Sequence, residues 1–167
     1  CLDFDDLLLF VYDILALHPD ILADYHRRFE FIIVDEYQDT NQIQNDITLL
    51  LAKGHQRICV VGDFDQTIYG WRGARVENLL EFNQAFSNVV VHKLETNYRS
   101  STEILDASNQ LIAFNSNRES KQLIGQRSSG NKPQHIVCFN EREEADFIAK
   151  TIKELQEKHQ YKYSDFS

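Results

Sequence analysis

Methionine is missing from all 167 residues. With no initiator, the chain as given reads as a piece of a longer polypeptide. Long apolar runs are missing as well. None approaches the ~18 residues needed to span a bilayer, and the N-terminus has no secretory pattern, so neither a membrane partner nor export is expected. Cysteine is scarce: Cys1, Cys59 and Cys138 are odd in number and widely spaced, which excludes a disulfide framework or a zinc site. Cys59 and Cys138 lie inside apolar runs, so the expectation is reduced thiols in a cytoplasmic protein. Positive charge is also short, with 17 Lys and Arg against 26 Asp and Glu for a net −9. That excludes coating nucleic acid through bulk charge, so any such contact must be a local groove. Internal repeats and low-complexity tracts are absent too.

What remains is an ordinary globular composition, 43% apolar and 26% charged, long enough for one domain or one domain and part of a second. Residues 2 to 17 place Phe4, Leu8, Val11 and Leu15 on one helical face, with Asp3, Asp5 and Asp6 where the helix dipole favours anions. Residues 29 to 34 and 57 to 63 read as strands covered on both faces. A helix lies between them, with Ile43, Ile47, Leu50 and Leu51 at helical spacing and Gly54 as a stop signal. A further helix over 76 to 86 and a third strand over 88 to 95 complete a β-α-β-α-β order. Ser100 and Glu103 form a capping box that opens a helix through about residue 114, buried through Ile104, Leu111 and Ile112. After a loop at 126 to 133 come a fourth strand, 134 to 139, and a helix from Glu141 that buries Ala145, Ile148, Ala149, Ile152 and Leu155. A further strand is expected to begin near "YKYSDFS".

That order implies an α/β fold with a parallel sheet, in which ligands bind outside the carboxyl ends of the strands. Polar clusters follow three strands. In "FIIVDEYQDTN" (31 to 41), Asp35 and Glu36 adjoin on a strand end and point to opposite sides. One can hold Mg²⁺ while the other orients and deprotonates a water, a division suited to phosphoryl transfer. The structural alternative is a solvated strand end followed by a helix N-cap at Asn41. In "VVGDFDQTIYGWRGA" (60 to 74), Tyr69, Trp71 and Arg72 match the residue types that stack bases of single-stranded nucleic acid. A lone Trp serving as a core anchor, with Arg72 stacked on it, is the competing reading. In "LETNYRS" (94 to 100), Tyr98 and Arg99 could reach an adenine and a γ-phosphate, or Arg99 could make a surface salt bridge.

Taken together, "VDEYQDTN", "VGDFDQTIYGWRGA" and "LETNYRS" resemble motifs II, III and IV of UvrD/PcrA/Rep-type superfamily 1 DNA helicases. "LDFDDLL" resembles the segment upstream of motif II, and "EREEADFIAKTIKEL" the "EA" helix of the second motor domain. "DQTIYGWRGA" favours this branch over RecB/AddA-like relatives, whose typical form resembles "KQSIYRFRGA". The resemblance implies an incomplete RecA-like (P-loop NTPase) motor domain over 1 to 98, joined to the start of a second RecA-like domain over 99 to 167. It implies ATP and Mg²⁺ as cofactors, and single-stranded DNA, duplex junctions and the missing remainder of the same polypeptide as partners. Movement along DNA would run 3′ to 5′. Asp35 would coordinate Mg²⁺ and Glu36 would be the base. Gln66 would sense the γ-phosphate, Tyr98 would stack on adenine and Arg99 would be an arginine finger. Tyr69 and Trp71 would line the single-strand track, and Arg72 would couple it to the nucleotide. Phe64 departs from the Asp or Ala frequent there, leaving Asp63, Asp65 and Gln66 unaffected.

No GxxxxGK[ST] occurs, so the lysine that reaches the phosphates and the Ser or Thr that holds Mg²⁺ are missing. The family's adenine-recognising Gln motif, its other upstream DNA-contact motifs and its motifs V and VI are missing too. The expectation is therefore a fragment of an ATP-dependent helicase that hydrolyses no ATP by itself. The rival is a truncated, inactive relative that acts as a binding or interaction module. A nucleotide-dependent switch of another P-loop family is a third reading, against which Tyr69 and Trp71 count. The DNA pathway served, repair among others, is left open.

Overall fold

A computed structural model describes residues 2–115 and 120–166, so Cys1 lies outside the described residues. Asp3 opens the first helix, α1 (Phe4–Leu17), with a reciprocal cap. Its Oδ1 accepts from the Asp5 and Asp6 amides at 3.0 and 2.9 Å, and Asp6 Oδ2 accepts from the Asp3 amide at 3.1 Å. Of the expected apolar face, Leu15 is buried and Leu8 half-buried, but Phe4 and Val11 are exposed. Pro19 then starts α2 (Pro19–Arg28), where its missing N–H costs nothing. His26 of α2 reaches the Leu50 carbonyl at 2.9 Å on α3 (Gln42–Lys53). The same ring leaves no room for a Cβ on Gly54, so the glycine that stops α3 also permits this close approach.

The strands β1 (Ile32–Val34) and β2 (Ile58–Val60) are parallel neighbours, with Ile32 opposite Ile58, Ile33 opposite Cys59 and Val34 opposite Val60. α3 crosses between them, capped as the sequence suggests by Asn41: its Oδ1 accepts from the Gln44 amide at 2.9 Å, and Gln44 Oε1 accepts from the Asn41 amide at 3.0 Å. One face of this pair, carrying Ile32, Val34, Ile58 and Val60, is half-buried, but the other is open. Ile33 and Cys59 are exposed, which corrects the expectation of strands buried on both sides and of an interior Cys59. Cys59 and Cys138 are free thiols.

Beyond β2 the expected helix over 76 to 86 is two short ones, α4 (Glu77–Leu80) and α5 (Phe82–Ala85), broken at Glu81 where φ is −95° and ψ 0°. Residues 88 to 95 are not a strand. No neighbouring chain completes a ladder there among the described residues, and Val90, Val91 and Leu94 are exposed. Apolar β-formers need a partner backbone before they become a strand. Pairing begins only at β3 (Thr96–Asn97), which lies parallel to β4 (Ile124–Gly125) in a second sheet, apart from β1–β2.

α6 (Thr102–Ile112) starts from Ser101, not Ser100, and has no side-chain cap; with this start Glu103 is the second helical residue, so the expected box with Ser100 does not form. Leu105 is its buried residue, Ile112 is half-buried, and Ile104 and Leu111 are exposed. Residues 134 to 139 form no strand, and Val137 and Phe139 are exposed. α7 (Glu141–His159) has the expected polarity, with Asn140 capping the Arg142 and Glu143 amides, acids in the first turn and Lys158 and His159 in the last. Its apolar face is not buried, however. Ala145, Ile148 and Ala149 are exposed, and Ile152 and Leu155 are half-covered. The chain end holds a 3₁₀ turn, Tyr163–Asp165, where a strand was expected. The accessible surface of 13272 Å² exceeds the roughly 8500 Å² that surface scaling gives a closed monomer of 19.5 kDa. Much apolar surface is thus uncovered. Among the described residues no helix is long and apolar enough to cross a membrane.

Candidate functional site

The carboxyl ends of β1 and β2 are locked together by a few side chains. Backbone pairing runs past the strands, with the Val61 amide donating to the Val34 carbonyl at 2.8 Å and the Tyr37 amide to the Val61 carbonyl at 2.9 Å. Glu36 adopts left-handed geometry, φ 51° and ψ 41°, which costs a non-glycine residue about 1 to 3 kcal/mol. The turn sends Tyr37 inward and leaves Asp35 and Glu36 exposed. Tyr37 is fully buried, donates to Asn45 Oδ1 at 2.6 Å and meets Phe82 edge-on at 5.6 Å. Burial first, and then the negative charge of Asp46, push its hydroxyl up to about 12.

Gln38, 1% exposed, connects the two strand ends. Its Nε2 donates to Glu36 Oε2 at 2.8 Å, and its Oε1 accepts from the Asp63 amide at 3.0 Å. A Cβ on Gly62 would lie 2.8 Å from that Oε1 and 3.0 Å from Leu79 Cδ2, so the bridge needs glycine beside it. Asp63 in turn caps the 3₁₀ turn Phe64–Gln66: Oδ1 accepts from the Asp65 amide at 2.9 Å and Oδ2 from Gln66 Nε2 at 2.7 Å. Lys121 forms an ion pair with Asp63 and stands 3.7 Å from Asp65. Burial pushes the Asp63 carboxyl up. Hydrogen bonds from Lys121, the Asp65 amide and Gln66, with the lysine charge, outweigh it and hold Asp63 below its ordinary range.

Asp35 uses Oδ1 to accept from the Glu36 amide at 2.9 Å, and its second oxygen has no partner among the described residues. Among those residues no three His, Cys, Asp or Glu side chains are grouped as a metal cage. One open carboxylate oxygen nonetheless fits Mg²⁺, which keeps several waters and takes one or two carboxylates together with substrate phosphates.

Tyr69, Trp71 and Arg72 come together on a 3₁₀ turn, Gly70–Arg72, closed by Gly73 at φ 83°. The rings of Tyr69 and Trp71 are 6.4 Å apart, and the Arg72 guanidinium carbon lies 4.5 Å from the Trp71 ring centre and 5.0 Å from that of Tyr69. Trp71 is 76% exposed, which removes the core-anchor reading while keeping the stacked arginine. An open cleft of about 420 Å³ adjoins this platform, lined by Asp5, Asn41, Gln42, Arg72 and Arg75. Asn78, buried, donates to the Thr40 and Asn41 carbonyls at 3.0 and 3.3 Å, and the Arg75 amide donates to Thr40 at 3.0 Å. The segment after the platform is thereby fastened to the turn after β1.

Tyr98 and Arg99 stand on a turn held by Asn97, whose Oδ1 accepts from the Arg99 and Ser100 amides at 2.9 and 2.8 Å. The Arg127 guanidinium donates to the Arg99 carbonyl, and the Arg127 carbonyl accepts from the Thr102 amide at 2.9 Å. Glu103 gathers the Ser128 hydroxyl, the Ser129 amide and hydroxyl and the Gly130 amide, which explains why it forms no box with Ser100. The Ser128 hydroxyl, followed by backbone amides, holds its carboxyl well below the usual range.

Residues 1–87 match the model of the UvrD/REP helicase N-terminal domain, and residues 92–167 that of the UvrD-like helicase C-terminal domain. The chain belongs to the UvrD/REP helicase family. It is 44% identical to "ATP-dependent DNA helicase PcrA" of Leuconostoc citreum, over 99% of this chain and 22% of that protein. It is also 44% identical to "Probable DNA helicase II homolog" of Rickettsia felis, over 96% of this chain and 24% of that protein. Against "ATP-dependent DNA helicase PcrA" of Staphylococcus epidermidis it is 42% identical, over 99% of this chain and 23% of the relative. The chain thus spans less than a quarter of the length of the curated relatives it matches.

Within this UvrD/REP chain, Glu36 and Gln66 are linked through Gln38 and Asp63, and Tyr69, Trp71 and Arg72 touch one another. Asp35 stands beside Glu36, its carboxylate bonded only to the Glu36 amide among the described residues. No hydrogen bond or ion pair among the described residues joins the Tyr98 or Arg99 side chains to Asp35, Glu36 or Gln66; both residues are exposed. Sequence reasoning missed Gln38, Asn78 and Lys121. For Gln38 a signal existed: a glutamine in the polar turn just after β1, with a glycine and an aspartate, Gly62 and Asp63, just after β2. Lys121 has no local signal at all.

Proposed function

We propose that, in the full-length protein, this chain is the middle of an ATP-driven motor that moves on single-stranded DNA and opens duplex junctions. Residues 1 to 98 are the later half of the first RecA-like domain, and residues 99 to 167 begin the second. The observation that supports this most is the hydrogen-bonded line Glu36–Gln38–Asp63–Gln66. It fixes a general base and an amide at adjacent strand ends, where α/β sheets bind ligands. The names of the relatives supply the ATP and DNA, and the exposed Tyr69–Trp71–Arg72 platform suits stacked bases.

In this reading Glu36, held by Gln38, takes the proton of the attacking water, and Gln66 orients that water against the γ-phosphate. Asp35 holds Mg²⁺, which when bound neutralises charge on the phosphates. Tyr98 stacks on adenine, and Arg99 reaches the transferred phosphoryl group. The setting is the cytoplasm. The chain alone, without GxxxxGK[ST], hydrolyses no ATP. Phosphate release with Mg²⁺ and single-stranded DNA tests both statements. The full-length protein should turn over and its Glu36→Gln variant should not, while this chain alone should match the blank. Full turnover by Glu36→Gln would overturn the assignment of the base, and turnover by the isolated chain would overturn its dependence on the phosphate-binding loop.

A further inference from the structure

Lys121 lies in the region matched to the C-terminal domain, yet its ammonium group is paired with Asp63 and Asp65 in the region matched to the N-terminal one. The contact is not a loose surface pair. The side chains of Lys121, Asp63 and Asp65 are 19%, 22% and 11% exposed, so solvent and salt screen them little. The backbone on the C-terminal side of Lys121 is also fixed. The Gln122 amide donates to Glu95 Oε1 at 3.0 Å, the Ile124 amide to the Glu95 carbonyl at 2.7 Å, and Leu123 exchanges two hydrogen bonds with the Asn109 side chain at 2.9 and 3.2 Å.

We propose that Lys121 is a positioning residue for ATP hydrolysis, acting on Gln66 and Glu36 through Asp63. This rests on the assignment of those two residues made above. An ionised carboxylate only accepts hydrogen bonds. While Lys121 keeps Asp63 charged and in place, Asp63 Oδ2 takes the NH₂ end of Gln66 at 2.7 Å and turns Gln66 Oε1 outward, as the acceptor a water needs. The Asp63 backbone amide meanwhile holds Gln38 Oε1, and Gln38 Nε2 holds Glu36. One lysine from the C-terminal region therefore sets the amide orientation of Gln66 and steadies the carboxylate beside it. It acts through the carboxylates of Asp63 and Asp65. Removing it leaves two mostly buried carboxylates facing each other without their shared cation, which disfavours the arrangement.

The test is steady-state ATP hydrolysis by the full-length protein with saturating single-stranded DNA, comparing wild type, Lys121→Met, Lys121→Arg, Asp63→Asn and the double variant Lys121→Met/Asp63→Asn. Lys121→Met should lower kcat by roughly tenfold or more, since small misplacements at a reacting centre cost on the order of a hundredfold. KM for ATP and the affinity for DNA should stay within about twofold, a split that a general loss of structure would not produce. Lys121→Arg should recover most of kcat, and Lys121→Met should cost nothing further once Asp63 is Asn. If Lys121→Met fails to fold, the same measurements on Lys121→Gln decide. An unchanged kcat in the folded variant, or an equal loss with and without Asp63, overturns the positioning role. Glu36→Gln is the reference. With wild type active and Glu36→Gln dead, an unaffected Lys121→Met sinks this proposal alone. A wild-type protein that hydrolyses no ATP sinks both.

Discussion

Tyr37 and Phe139 are aromatic residues placed at or just after an apolar run, and they meet opposite fates. Tyr37 is fully buried with a hydrogen bond and a ring partner, whereas Phe139 is 92% exposed. The difference lies in what surrounds them. Around Tyr37 a parallel strand pair, α3 and α5 supply the backbone of Val61, Asn45 and Phe82, so the Tyr37 hydroxyl and amide brought inside both have partners. Around Phe139 the run 134 to 139 finds no neighbouring strand among the described residues, and α7 after it exposes most of its apolar stripe. Periodicity announces that a face wants cover, but it cannot say whether cover is at hand. The junction of β1 and β2 is thus built to hold a geometry, whereas the Tyr98–Arg99 turn, residues 134 to 139 and most of the apolar stripe of α7 present side chains outward.

The comparison sharpens most if the outward region carries the larger share of the chemistry. In the full-length protein, Arg99→Ala should cut DNA-stimulated ATP turnover by roughly 10³-fold or more, the range for arginine fingers, while changing DNA affinity little. A fall of only a few-fold makes Arg99 an ordinary surface residue and leaves the β1–β2 junction as the whole of the assignable site.

Stability should divide the regions the other way. Tyr37→Ala removes a buried aromatic and should cost about 3 to 5 kcal/mol in denaturant melts. Phe139→Ala should stay within about 0.5 kcal/mol, as for other surface changes. Equal losses would break the contrast. The raised Tyr37 hydroxyl adds a pH signature. The folded state holds that proton more tightly than the unfolded chain, so stability is intact below pH 10 and declines as pH rises towards about 12. Tyr37→Phe should abolish that alkaline decline.

Trp71 tests the border between the two regions, since it is exposed but sits on the bonded side. Trp71→Ala should weaken single-strand binding by about 1 to 3 kcal/mol, roughly fivefold or more, with little change in unfolding midpoint. A large drop in midpoint with unchanged DNA affinity would contradict its 76% exposure and remove the platform from the DNA track. The smallest effect belongs to Glu103. Its carboxyl is held below the ordinary range by the Ser128 hydroxyl and the neighbouring amides. The clamp on residues 128 to 130 is therefore complete above about pH 4.3, the unperturbed glutamate value, and is lost only as pH falls through the lower folded value. Amide exchange at Ser129 and Gly130 should show protection unchanged at pH 5. Release already at that pH would mean the clamp is not formed in solution.

Much of the first region was legible because its signals are local. Asp3 and Asn41 cap helices with partners three residues away, and apolar triplets at Ile32–Val34 and Ile58–Val60 lead within three residues to Asp35 and Asp63. Where local signals competed, the reading failed. Ser100 and Glu103 have the spacing of a capping box, but Glu103 finds four donors in the 128 to 130 loop, and a carboxylate goes where its donors are. The expected strands at 88 to 95 and 134 to 139 had the right residues and no ladder. α2 was overlooked because its apolar stripe is thin, although Pro19 and the basic last turn mark its two ends.

The residue types at each strand end, the helix starts and the aromatic–arginine platform were determined by the sequence itself, since each depends on neighbours a few positions away. Only the tertiary structure decided that Gln38 would bridge Glu36 to Asp63, that Trp71 would face solvent, and that Lys121 would reach back 58 residues to Asp63. Those are matters of which backbone lies beside which. A buried amide or a half-buried ammonium takes the nearest group that satisfies it, and nearness across so many residues is a property of the fold.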